Sequence, residues 1–342
     1  MTTAVLARSR GEAALFAAAF AVGLVALAGF LWLFGFDVTA ALGALWRGAF
    51  GSADAVLSAT LVRAVPLLIL GLAFGLAARA GAFNIGMEGQ LATGAIAATW
   101  IGLAVGGMPM AFAVPAVLLA GTVAGALWMV VPVVLRSRFG VTEVITTLLL
   151  GFVAEGLVSW MVTGPLQESA GTYPQSDPIA VAARLPRLLP GYRLHWGLVL
   201  GVVLVLLLAV LARRSRAAFA LKAVGAGPVA ARITGRIPVT GVVSAALLGS
   251  GALAGLAGAV EVSGVSHALY QRITPGYGFT AIAVALLGRL SPFGIALAAL
   301  LFGALEAGAG AMQRDAGIPA VATLVVQATV ILALVVGSRR RS

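Results

Sequence analysis

No cysteine occurs among the 342 residues, which excludes disulfides and thiolate metal sites. Histidine is nearly absent as well: His195 and His267 are too few for a histidine-built metal centre. Lysine occurs once, at Lys222, followed by Ala223 and with no glycine spacing ahead of it. A Walker-type loop needs Gly-x-x-x-x-Gly-Lys-Ser/Thr to cradle phosphates, so the chain has no such ATP site. Charge of any sign is scarce, at 10% of residues against about 25% in a soluble domain. Gly-x-Ser-x-Gly, His-Glu-x-x-His and a carboxylate pair with a partner base are all missing. These absences argue against an enzyme and call for no cofactor and no metal.

What fills the chain instead is apolar. Hydrophobic residues make up 61%, with 44 glycines and a mean hydropathy of +1.08. Abundant glycine suits closely packed transmembrane helices. The net charge of +11 would point to nucleic acid in a soluble protein, but in a membrane protein it marks cytoplasmic loops. The expected fold class is all-α, a polytopic transmembrane helix bundle. Stretches of about 20 apolar residues give spans at Ala13–Phe34, Leu57–Ala78, Gly89–Val105, Pro109–Val134, Glu143–Val162, Trp196–Leu211, Val239–Val262, Ile295–Ala311 and Pro319–Val336. A short one at Gly276–Leu287 makes about ten, or eight to ten if a short span is re-entrant. The first reads as a retained anchor rather than a cleaved leader.

With the N-terminus cytoplasmic and every span crossing, 15 Lys and Arg fall on inside segments and six (Arg47, Arg184, Arg187, Arg193, Arg272, Arg314) on outside ones. That bias puts both termini inside. Residues 1–342 read as one membrane domain. Its long connections are an extracytoplasmic loop at 164–193, with Pro165, Pro174, Pro178, Pro186 and Pro190, and a basic cytoplasmic loop at 212–238.

Three segments break the apolar pattern. Gly81-Ala-Phe-Asn-Ile-Gly-Met-Glu-Gly-Gln90 puts Asn84, Glu88 and Gln90 between two spans. It reads either as a transport pathway or hinge, or as a polar turn, because irregular backbone at membrane depth needs protein or water around it. In Leu221–Arg236, Gly225 to Pro228 reads as a turn, Pro228 as the first residue of a short helix and Gly235 as its end. That shape suits a peg for a cytoplasmic partner, against the blander reading of a solvated basic loop. The third break is the short span, whose 12 residues cover only about 18 Å of a ~30 Å core. Such half-helices point to substrate sites in transporters. Glu155, Glu261, Glu306 and Arg63 lie in or at the ends of spans and are either functional or interhelical glue; for Glu261 a helix-end group reaching the interface is favoured.

These segments also carry a resemblance. Ala82-Phe-Asn-Ile-Gly-Met-Glu-Gly-Gln90 resembles the Phe-Asn-Ile-Gly-x-Glu-Gly-Gln signature of bacterial ABC importer permeases of the branched-chain amino acid and simple-sugar superfamily. Gly140-Val-Thr-Glu-Val-Ile-Thr-Thr-Leu-Leu-Leu150 is similar to its Asn-Glu-Val-Ile-Ser-Thr segment, with Thr142 in the Asn position. Gly276-Tyr-Gly-Phe-Thr-Ala-Ile-Ala-Val-Ala-Leu-Leu-Gly-Arg289 is similar to its Gly-x-Gly-Phe-x-x-Ile-Ala-Val-Ala-Leu-Leu-Gly stretch. The order Gly164-Pro165, Pro174-Gln-Ser176, Arg184-Leu-Pro186 is similar to the outer loop of the longer permease of nucleoside importers.

The resemblance implies a permease subunit of an ATP-driven importer in the bacterial plasma membrane, for nucleosides or related ribose-containing or simple-sugar substrates. Implied partners are cytoplasmic ATPase subunits, a second permease in a heterodimer, an extracytoplasmic substrate-binding protein and the lipid bilayer, with no nucleic acid. Phe83, Asn84, Glu88, Gln90, Tyr270, Gln271, Tyr277 and Phe279 become pathway candidates; Tyr270 and Tyr277 suit interfacial anchors equally well. Pro228, Ala230, Ala231, Arg232 and Gly235 become coupling candidates, although Val229 stands where the family commonly has Glu. The competing expectation is an ion-coupled secondary transporter of a small polar solute, with Glu155 and Glu306 as ion sites.

Overall fold

A computed structural model describes residues 21–22, 25–233, 237–319, 324–325 and 328. Helices dominate: α1 (25–33), α2 (Val38–Phe50), α3 (Ala55–Arg79), α4 (Met87–Ala104), α5 (Met110–Phe139), α6 (Glu143–Thr163), α7 (Gly197–Arg214), α8 (Arg216–Ala226), α9 (Pro228–Ile233), α10 (Val239–Glu261), α11 (Tyr277–Leu287) and α12 (Pro292–Ala316). Among the described residues the only β pairing is two isolated bridges, Gln175 with Tyr270 and Arg187 with His195.

Among the described residues, six helices are long and apolar enough to cross a membrane: α3, α5, α6, α7, α12, and α10 with its π-helical extension to Ser266. The chain is a multi-pass membrane protein of the expected all-α class. The expected count of about ten spans, or eight to ten, is not confirmed among the described residues. The expected span Ala13–Phe34 falls partly, and Pro319–Val336 largely, outside the described residues. Gly89–Val105 is α4, whose polar start (Glu88, Gln90) and near-complete burial make it an interior helix. The short span is α11, 11 residues long.

The chain divides into two compact units, Met1–Arg63 with Leu301–Ser342, and Ala64–Leu300. In the first, Leu27, Leu31, Ala41, Ala44, Leu305 and Met312 form the core. A Cβ on Gly48 would stand 2.3 Å from that of Ala311, so α2 lies directly on the second half of α12. The sequence reading left 38–50 as an outside connection. The structure folds it as α2 because Asp37 caps it, accepting from the N–H groups of Thr39 and Ala40 at 2.8 and 3.0 Å.

The second unit is built on a small-residue seam between α4, α5 and α10. Gly121 and Gly125 of α5 face Gly251 and Gly255 of α10, each pair spaced four apart. A Cβ on Gly255 would lie 2.1 Å from the Gly121 carbonyl oxygen, and one on Gly94 2.3 Å from the Gly255 carbonyl oxygen. Without Cβ atoms the three backbones touch, and the packing contacts that hold membrane helices together are maximised.

Two caps shape the basic end. Gly140 ends α5 in the left-handed region at φ 68°, where a β-carbon would be strained. Ser215 ends α7 and starts α8, accepting from the Ala218 N–H at 3.1 Å. The sequence reading gave the basic loop one short helix. The structure gives two, because Gly225 sits in the last turn of α8 and the break falls at Gly227, extended at φ −171°. At the other end, residues 164–196 lie across the ends of α4 and α10: Ala180 donates to the Gly102 carbonyl at 3.0 Å, Ile179 to His267 at 2.8 Å and Leu185 to Ser263 at 2.8 Å.

Candidate functional site

The polar turn 80–86 enters the interior of the second unit. The Asn84 amide donates to Gln90 Oε1 at 2.7 Å and to Ser250 Oγ at 2.9 Å, and Gln90 Nε2 donates back to Asn84 Oδ1 at 3.1 Å. All three side chains are 0–1% exposed. Ser250 lies 11 residues into α10, roughly 16 Å along its axis. The turn therefore reaches membrane depth, and the amide network satisfies polar groups that would otherwise be orphaned there. Asn84 and Gln90 hold the turn to α10 and open onto no solvent. Ser250 escaped the sequence reading because it sits among Gly, Ala and Leu and looks like one more small packing residue.

Glu88, in the first turn of α4, reaches α11. Its carboxylate accepts from the Gly278 N–H at 2.6 Å and from the Thr274 hydroxyl. The half-helix points its N-terminus at a carboxylate of its own chain, which meets both the unpaired N–H groups and the dipole. A Cβ on Gly278 would meet the Glu88 backbone nitrogen at 2.4 Å. The quoted turn and the short span, 190 residues apart in sequence, thus close on each other at one point. Tyr277 is buried at this junction and Phe279 is exposed.

A further carboxylate organises the turn from below. Glu143 forms an ion pair with Arg136 at 3.0 Å and accepts from the Phe83 N–H at 3.0 Å. Phe83 itself is exposed, with its ring 6.1 Å from that of Phe74. Glu143 stood inside a quoted segment, but no spacing in the sequence gives a contact across 60 residues.

The exposed polar groups gather along α6. Glu155, near the middle of this span, is exposed and forms a shallow cleft with Glu88, Gly151, Phe152 and Phe279. One turn further, Ser159 Oγ accepts from Gln271 Nε2 at 3.0 Å. Tyr270, beside Gln271, is held by its bridge to Gln175. Phe279, Glu88 and Gln271 therefore share a face with Glu155 and Ser159, whereas Asn84, Gln90 and Tyr277 lie behind it. Glu261 differs from its expected place at a helix end: α10 continues to Ser266 and buries it. Glu306, in the other compact unit, is half-buried.

At the basic end, α8 packs on the same turn. A Cβ on Gly225 would fall 2.3 Å from the Arg79 carbonyl oxygen. Val224 and Ala231 are buried with Ala80, Ala82 and Leu247. Of the coupling candidates, Ala231 thus faces the bundle, while Pro228, Ala230 and Arg232 are exposed. Gly235 lies outside the described residues. Val229 and Ile233, 71% and 80% exposed, form an apolar outer face that the sequence reading passed over in favour of the charge.

Comparison with known proteins places this architecture. Residues 56–335 match the model of the family described as branched-chain amino acid transport system / permease component. The glucose ABC transporter permease protein TsgB13 of Haloferax volcanii is 42% identical over 82% of this chain and 76% of its own. The guanosine ABC transporter permease protein NupP of Bacillus subtilis is 35% identical over 91% and 89%. The nucleoside ABC transporter permease protein NupB of Lactococcus lactis is 34% identical over 85% and 82%. The same three organisms each contribute a second, more distant permease protein at 26–28% identity. No solved structure matches the chain significantly. The match spans the turn at Asn84, the polar face of α6 and the α8–α9 segment alike, and the chain belongs to the branched-chain amino acid transport system permease component family.

Proposed function

We propose that this permease is the longer membrane subunit of an ATP-driven importer for nucleosides, and that the Glu155 face of α6 is one wall of its translocation path. The observation that carries the reading is the exposure of Glu155 in mid-span. A charge facing lipid at a helix centre costs about 2.5–3.5 kcal/mol, so this face meets water or another protein. Its other groups, Ser159, Gln271, Phe152 and Phe279, suit a neutral ligand with an apolar ring and several hydroxyls. A second permease would supply the opposite wall, and the paired permeases of the three related organisms support a heterodimer.

Energy comes from outside the chain, which has no Walker loop. Cytoplasmic ATPase subunits would dock on α8–α9, and an extracytoplasmic binding protein would deliver ligand to the 164–196 surface, with both termini cytoplasmic in a bacterial plasma membrane. The Gly225 contact on Arg79 ties the docking segment to the turn that carries Asn84, so rigid-body motion of α8 reaches the path. Kinship with ABC permeases sets aside the ion-coupled alternative. A simple-sugar substrate stands as the second reading, favoured by the glucose permease relative at 42% identity.

The cysteine-free chain offers a direct test. Ser159→Cys in the assembled complex should react with a charged, membrane-impermeant maleimide, and less so during transport of nucleoside. Reaction only with a lipid-soluble reagent would place this face against the bilayer and remove it from the path.

A further inference from the structure

An apolar groove of the second unit lies away from the polar face, at the basic end. It has a volume of about 290 Å³ and is formed where α3, α7, α8 and the start of α12 meet. Leu72 and Leu76 of α3, Leu208 and Leu211 of α7, Leu221 of α8 and Ile295 of α12 give it an apolar lining. The one charged residue lining it is Arg79, half-buried at the end of α3. Ser215, the other polar group there, has its hydroxyl engaged: it donates to the Leu211 carbonyl at 2.7 Å and accepts from Ala218.

Charge at this end is one-sided. Exposed Arg213, Arg214 and Arg216 surround the α7–α8 elbow beside the groove. Glu143 is taken by Arg136, and among the described residues no carboxylate forms an ion pair with Arg79 or with the elbow arginines. A half-buried guanidinium above an apolar slot, in a membrane protein, calls for an amphiphile with an anionic head.

We infer that this groove is a specific site for an anionic phospholipid of the bilayer, with an acyl chain between α3, α7 and α8 and the phosphate on Arg79 and the elbow arginines. The bilayer is the source chosen because the slot accepts hydrocarbon and the rim accepts anions, whereas a soluble phosphate would use only the rim. The site is independent of what is transported. Its position beside Gly225 means that a bound lipid would brace α8, the docking segment, against α3.

The test uses the full chain in phosphatidylcholine nanodiscs doped with a trace of phosphatidylglycerol or phosphatidylcholine bearing a photoactivatable acyl chain. After irradiation, labelled peptides are mapped and quantified. Phosphatidylglycerol should label peptides covering 72–79 and 208–221 at least fivefold more than phosphatidylcholine does. Arg79→Gln should remove most of that preference, and Leu211→Trp, which fills the slot while leaving the cations, should reduce labelling by both probes. Equal labelling by the two probes would mean ordinary annular lipid and overturn the site. So would a preference that survives Arg79→Gln. Unchanged thermal unfolding of each variant separates loss of binding from loss of fold.

Discussion

Residue by residue, the molecule sorts its polar groups into those that hold and those that face outward. Asn84, Gln90 and Ser250 hold. Asn84→Ala leaves the Gln90 amide and the Ser250 hydroxyl short of a partner in the interior, a loss of about 1–3 kcal/mol. The expected result is a lower apparent Tm of the purified chain in detergent, with transport falling in step with folded protein. Glu155 faces outward, so Glu155→Gln should leave Tm and assembly unchanged and lower transport at least several-fold. His195 belongs to the 164–196 segment that lies across the ends of α4 and α10. Its Nδ1 accepts from the Gly197 N–H at 3.1 Å, and burial, with the charges of His267 and Arg193, lowers its pKa to about 4. A histidine with a depressed pKa stabilises the fold above its unfolded value of about 6.5. That contribution is lost as pH falls toward 4, because the unfolded chain takes up the proton first. His195→Gln should flatten the loss of Tm between about pH 6.5 and 4.

At the scale of elements, most of the fold could be read in the sequence and most of the site could not. Apolar runs of 20 residues announce α3, α5, α6, α7 and α10, since lipid leaves the backbone no other choice. The half-helix α11 was visible in its length and its flanking glycines. Helix α2 was missed because its 13 residues are too short for a span and its cap depends on one aspartate. The quoted segments did mark the residues that meet, but which of them meet follows from the three-helix seam, and no spacing encodes it. Ala231 shows the consequence. Exposed, it would test partner docking by Ala231→Glu; buried as it is, that change drives a charge into the bundle and tests stability. Ile233→Glu, on the exposed outer face of α9, is the cleaner probe: ATPase subunits should fail to co-purify while the permease itself keeps its Tm. Gly225→Val addresses the step after docking. The added side chain must push α8 off the Arg79 carbonyl, so ATP hydrolysis should persist in the assembled complex while uptake per ATP falls about tenfold or more.

On the scale of the whole molecule, a multi-pass permease with a charged, exposed mid-span face and no energy source of its own is an incomplete machine. In the proposed assembly a second wall, a motor and a delivery protein complete it, and the surfaces proposed for them are the Glu155 face, the Val229–Ile233 face and the 164–196 surface. The anionic-lipid groove would add the bilayer as a fourth partner at α8. The central claim is that this assembly moves nucleosides with ATP. The most direct measurement is uptake of a radiolabelled nucleoside into proteoliposomes holding the complete complex and its binding protein, with ATP supplied on the α8–α9 side. Uptake that requires ATP, ignores an imposed membrane potential and is lost in Glu155→Gln is the result expected. Uptake driven by an ion gradient in the absence of ATP would contradict the account.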